Sequence, residues 1–287
     1  MACRDTLNFI QPETAPFPAP AVADENVNEI TDTAAANDAP TNIPTGSPVS
    51  NIYFGVDSAS PASTNLQHNL THFEWVLRNK IYPNFWGRYI GGANGITREE
   101  LDFIHYDIGC KVAALFGDFD AGNVSSEESG QTDGQKAAIA ALDLGFYTGN
   151  AIFLDIGASN ISAEYMQGYA LALLAVGFKP GFYANTDAHF GFCHECSRGH
   201  QNNPELFSQC LIWATAPNLP EFTATANAHI LYPDDWGPYC PSCFRKEQIA
   251  VWQYGSNSHP IRDYRGNHTS FNLNIIKDSA IIVEAMF

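Results

Sequence analysis

The stretch Leu144–Gly157, LGFYTGNAIFLDIG, decides the fold of this chain. It contains a helix stop at Gly145, a short turn, and the apolar run Ala151–Ile156 (AIFLDI), followed by Gly157. A short apolar run between glycine-bearing turns reads as a strand buried on both faces. Its fifth residue is an acid, Asp155. The C-terminal ends of such strands are where α/β folds carry their sites. Ser162 then caps a helix to about Val176, and Gly177 ends it.

The same alternation extends in both directions. Asn51–Asp57 (NIYFGVD), Phe85–Ile90 (FWGRYI) and Lys111–Phe116 (KVAALF) read as strands before this stretch. Lys179–Ala184, Leu211–Ala216, Ala228–Leu231 and Ile249–Tyr254 read as strands after it. Helical spacing of Leu66, Leu70, Phe73 and Leu77 predicts a helix over 64–80. Thr97 and Glu100 form a capping box that opens another, ended by Gly109, and an alanine-rich helix runs from Asp133 to Leu144. Strands alternating with helices imply parallel pairing and right-handed crossovers. Eight such units in this length predict an α/β fold, a (β/α)8 TIM-like barrel over residues 51–287.

Residues 1–50 differ. They are rich in Pro and Ala, with unperiodic apolar residues, and cannot bury enough surface to fold alone. They read either as a flexible tail or as an extended arm that wraps the barrel or a neighbouring subunit. The arm reading makes self-association the expected partner interaction.

Composition narrows the partners. A hydrophobic content of 45% with only 16% charged residues suits a large core rather than a disordered chain. A net charge of −17 disfavours nucleic acid and anionic membranes. No run of 18 apolar residues exists, so membrane insertion is not expected. The N-terminus lacks a basic region followed by an apolar run, the mark of a standard signal peptide.

Cys193-His-Glu-Cys196 and Cys240-Pro-Ser-Cys243 form two CxxC pairs in predicted loops. Two such turns can complete a tetrahedral thiolate shell, so structural zinc on Cys193, Cys196, Cys240 and Cys243 is expected, with disulfides as the alternative. His194, His200 and Cys210 are substitute ligands. Cys3 reads as an isolated tail thiol and Cys110 as a core thiol.

In order along the chain, GVD-S, FWGRYIGG, the helix bearing Gly130, Asp133 and Ala137, LGFYTGNAIFLDIG, VGFKPGFYA and VWQY resemble the domain of unknown function 1906. That is a glycoside-hydrolase-like barrel family related to glycoside hydrolase family 25, the lysozymes that cleave bacterial peptidoglycan. The resemblance implies a site on the C-terminal face of the barrel and leaves a secreted or cell-surface role open. It matches Asp57 to the acid after the first strand and Asp155 to the first acid of an Asp-x-Glu motif. Trp252, Gln253 and Tyr254 match an aromatic-rich last strand. Two acids depart from the pattern: Gly157 stands where the proton donor would be, and Asn272 where a late Asp would be.

Glycoside hydrolysis uses two carboxyls flanking the scissile bond. Asp155 and Asp57 are the best remaining pair. Asp118, Asp120 and Asp187 also follow predicted strands. Asp118, Asp187, Tyr183, Trp213, Trp252 and Gln253 are candidates for contact with a glycan. Since glycine transfers no proton, the sequence favours a non-catalytic structural or assembly role that uses the arm. The alternatives are an active glycoside hydrolase and a non-catalytic carbohydrate-binding protein.

Overall fold

The computed structural model describes residues 52–157, 160–215, 236–240 and 242–287. The N-terminal arm and Ala228–Leu231 lie outside the described residues. Eight strands close a barrel: β1 Tyr53–Asp57, β2 Phe85–Tyr89, β3 Lys111–Phe116, β4 Ala151–Asp155, β5 Lys179–Ala184, β6 Leu211–Ala214, β7 Ile249–Arg262 and β8 His268–Ile276. β1 to β7 pair in parallel around the barrel, and β8 lies antiparallel between β7 and β1.

The expected TIM-like α/β barrel is therefore present, with its last strand reassigned. Ile249–Tyr254, expected as the eighth strand, belongs to the seventh. The closing strand is HTSFNLNII, in which Phe271, Leu273 and Ile275 alternate with polar residues. It follows β7 through a tight turn held by Asp263 N–H to Asn267 O at 2.8 Å and completed by Gly266 at φ +88°. A turn this short joins only antiparallel strands.

Alternate strand residues fall into two separate apolar clusters. One contains Phe85, Phe153 and Trp213, whose rings meet edge to face inside the barrel, with centroids 6.2 and 5.4 Å apart. The other contains Trp86, Val112, Leu154, Phe182 and Trp252 and meets the helices. The period-two rule places Asp155 on the same strand face as Phe153. It gives the same inward direction to Asp57, Tyr89, Tyr183, Gln253 and Asn274. The strand pattern thus puts the site at the C-terminal mouth.

The helices are α1 His72–Arg78, α2 Arg98–Asp102, α3 Glu127–Asp143, α4 Ala163–Val176, α5 Gly191–Asn202, α6 Pro204–Phe207 and α7 Ser279–Glu284. The helix expected over 64–80 is shorter, because His68 and Asn69 adopt φ values of 71° and 56° and turn a small hairpin. Thr71 and Glu74 then form the true capping box. Thr97 caps α2, but Glu100 does not reach back to it. Glu100 turns inward to the buried Arg88, with Oε1 2.8 Å from Nε. α4 has the expected Ser162 cap and a left-handed Gly177 at φ +97°. Among the described residues, no helix is long and apolar enough to cross a membrane.

Candidate functional site

Asp57 ends β1 and is almost fully buried, 4% exposed. It stands opposite Asn272 of β8 and beside Gly87 of β2. A Cβ on Gly87 would lie 2.6 Å from Trp213 and 2.7 Å from Asp57 Cβ, so only glycine leaves room for both. The Asp57 carboxyl accepts from Asn274 Nδ2 at 2.7 Å on one oxygen and from Asn272 Nδ2 at 2.8 Å on the other. Burial pushes its pKa from 3.8 up to about 6, against the pull of the two amides, and the nearby Asp155 charge adds to the rise.

The two amides cannot turn away. Asn274 Oδ1 accepts from Trp213 Nε1 at 2.8 Å, and Asn272 Oδ1 accepts from Asn257 N–H at 3.0 Å. With each oxygen held, each NH2 group must face Asp57. Two fixed donors on its two oxygens suit a carboxylate.

Asp155 ends β4, paired with Tyr183 of β5. Its Oδ2 accepts from the Tyr89 hydroxyl at 2.6 Å. Its Oδ1 is buried and has no hydrogen-bond partner. Burial is the main cause raising the Asp155 pKa, while the Tyr89 hydroxyl and the nearby Gly157 N–H draw it down. The Gly157 N–H approaches the carboxyl but falls short of full hydrogen-bond geometry. Tyr183 donates to Gln253 Oε1 at 2.5 Å, and burial with the charges of Asp57 and Asp155 holds its hydroxyl proton firmly. Two carboxyls, two tyrosines and three amides thus converge at the barrel mouth.

Of the residues predicted for the site, Asp57, Asp155, Tyr183 and Gln253 come together. Asp118 instead pairs with Lys136 Nζ at 2.7 Å, and Asp187 with His189 Nδ1 at 2.7 Å. No hydrogen bond among the described residues joins either to Asp57 or Asp155. Trp213 and Trp252 are corrected to core residues, at 0% and 1% exposure, with no face free for a sugar. Trp213 still matters to the site, because it orients Asn274. Sequence reasoning missed Tyr89 and Asn274. Tyr89 lies two residues after Gly87 on the inward face of β2, a signal that strand parity carries. Gly157 has φ +49°, a left-handed conformation that disfavours the side chain expected there.

The two CxxC pairs also meet. Cys193 and Cys196 lie on α5 rather than in a loop, and Cys240 and Cys243 lie in the segment leading to β7. Cys196 and Cys243 are hydrogen-bond partners, and Cys193 lies within electrostatic reach of Cys240 and Cys243. None of the described cysteines is joined in a disulfide. Among the described residues, no three Cys, His, Asp or Glu side chains already stand at metal-coordinating positions. Cys110 is a buried thiol that donates to Pro83 O at 2.9 Å, as a core residue should.

The model of the Rv2525c-like, glycoside hydrolase-like domain family matches residues 77–272. The chain belongs to this family. No curated protein matches it. Among solved structures, an uncharacterized protein of B. stearothermophilus is similar with a TM-score of 0.62 and 24% identity, over 82% of this chain and 100% of that one. The catalytic domain of endolysin ply40 from bacteriophage P40 of Listeria monocytogenes gives a TM-score of 0.45 at 14% identity, over 83% and 98% of the two chains. The modular autolysin LytC from Streptococcus pneumoniae, in complex with a synthetic peptidoglycan ligand, gives 0.44 at 10% identity, over 78% of this chain and 46% of that one. The likeness to the B. stearothermophilus protein bears on the fold alone. Membership of the glycoside hydrolase-like family agrees with the resemblance drawn from the motifs.

Proposed function

We propose that this barrel hydrolyses an N-acetylated glycan of the bacterial wall type, with Asp155 as proton donor and Asp57 as a fixed anion. The carrying observation is the asymmetry of Asp155. Tyr89 occupies Oδ2, while Oδ1 is buried, unpartnered and in surroundings that favour the protonated form. A proton held on Asp155 could pass to a glycosidic oxygen once substrate binding uncovers Oδ1, the step for which Gly157 offers no side chain.

Asp57 is suited to a different task. Both its oxygens are engaged by amides, so neither is free to bond to a sugar carbon. Its negative charge is nevertheless held close to Asp155, where it would stabilise positive charge developing on the ring. The nucleophile must then come from water or from the substrate. In substrate-assisted hydrolases the carbonyl of a 2-acetamido group attacks the anomeric carbon, and a single protein acid suffices for the leaving group. That chemistry fits one free acid beside one locked anion.

Release of reducing ends from peptidoglycan, and from the same material after chemical de-N-acetylation, tests the reading. The acetylated glycan should be cleaved and the de-acetylated one should not. Asp155→Asn should lower kcat by about 10²–10⁴. Wild-type release no greater than that of Asp155→Asn on every glycan overturns the proposal. Glycan that is retained but not cleaved would instead favour a carbohydrate-binding domain, the reading supported by the left-handed Gly157.

A further inference from the structure

We infer that Cys193, Cys196, Cys240 and Cys243 form a structural zinc site that fastens α5 to the segment entering β7. This stands independently of the proposed hydrolysis, since none of the four touches Asp57 or Asp155.

Cys193 lies in the first turn of α5 and Cys196 three residues on, so both thiols project from one side of the helix. Facing them is the Cys240–Cys243 segment, with Ser242 and Cys243 in a turn. The contact between Cys196 and Cys243, with Cys193 within electrostatic reach of both thiols of the second pair, brings the two CxxC motifs to one region of the fold. Cys193 and Cys196 are buried, and Cys240 and Cys243 are half-buried.

Contacts flanking the cysteines hold the ends of the second segment. Thr186 Oγ1 donates to Tyr239 O at 2.7 Å, just ahead of Cys240. The Phe192 and Phe244 rings, each next to a cysteine, lie nearly parallel at 10° with centroids 6.3 Å apart. Beyond them, Gln248 Nε2 donates to Phe207 O at 2.9 Å and Cys210 O at 3.0 Å. The segment is therefore pinned on both sides of its cysteines. The buried Cys210, whose thiol faces Leu206 O, also lies within electrostatic reach of Cys196. The described part of the approach to β7 includes a 3-10 turn, Lys246–Gln248.

The four sulfurs are not yet at coordinating positions, so binding must draw the 240–243 segment onto α5. Each thiol loses its proton to solvent, and four sulfur–zinc bonds of about 2.3 Å form without redox change. Four sulfurs leave no open position, so the ion would be structural.

The test uses the full chain, purified under reducing conditions without chelator. Elemental analysis should find one zinc ion per chain. Cobalt(II) in place of zinc should give the intense thiolate-to-metal absorption and the visible bands of a tetrahedral sulfur site. Cys243→Ser and Cys196→Ser should lose most of the zinc, while Cys110→Ser should keep it. Wild-type protein that takes up neither metal when reduced overturns the proposal, whatever the variants do. So does unreduced protein whose mass spectrum shows Cys196 disulfide-linked to Cys243 in place of bound metal.

Discussion

Both oxygens of Asp57 face amide donors that other contacts prevent from turning: Trp213 holds the Asn274 oxygen and the Asn257 N–H holds that of Asn272. Asp57→Asn would therefore set an NH2 group against an NH2 group, at a cost of about 1–3 kcal/mol. A second effect depends on pH. The folded-state pKa of Asp57 is raised to about 6 from 3.8. Below pH 3.8 the group is protonated in both states and contributes nothing. As pH rises towards 6, the unfolded chain releases the proton while the folded chain retains it, so stability falls. Above about 6 the loss is complete, at about 3 kcal/mol. The variant lacks this loss. In urea unfolding, its stability relative to wild type should improve by about 2–2.5 kcal/mol between pH of about 4 and about 7.5. A gap independent of pH would refute the assignment. At this scale the two acids were legible, because each ends an apolar run. Their fixed donors were not, because Asn274 acts only once the register of β8 is known.

Helix α3 shows how packing overrides a local signal. Gly130 and Gly134 weaken helical propensity, and the sequence places the start of the helix at Asp133. The structure starts it at Glu127 under a Ser126 cap, because the glycines lie against α4. A Cβ on Gly130 would come 2.1 Å from Tyr165 O, and one on Gly168 of α4 would come 2.0 Å from Glu127 O. The Tyr165 hydroxyl donates to Asp133 at 2.6 Å across the same contact. Gly168→Ala gains about 1 kcal/mol of helix propensity, but the added methyl meets backbone that neither helix can move cheaply. Thermal unfolding should show a net loss of about 1–3 kcal/mol. A variant as stable as wild type would mean that the helices do not touch through these glycines. Glu100 teaches the same lesson: its spacing from Thr97 reads as a cap, and only the buried Arg88 reveals where the carboxylate is needed.

Over the whole molecule, β1 meets the strand that follows the last tight turn, so residues from opposite ends of the barrel build one site. The alternation of strands and helices predicts the barrel and its mouth. It cannot predict that the closing strand runs antiparallel, because that follows from a turn too short for a crossover. The β1–β8 seam also sets Asn272 directly opposite Asp57. Placing an acid there with Asn272→Asp would put two carboxyls about the distance of the present 2.8 Å hydrogen bond apart, in a buried setting. They cannot both ionise cheaply, so they would share one proton and raise the pKa of the pair further. The same sign argument as for Asp57 then applies: the folded state is penalised as pH rises through the unfolded value and beyond. Barrel closure should therefore weaken at neutral pH and recover in acid. The urea midpoint of Asn272→Asp should fall well below wild type at pH of about 7.5, with the deficit shrinking at pH of about 4. An equal deficit at both pH values would mean that the lost amide contacts, rather than like charge across the seam, explain why this position carries asparagine.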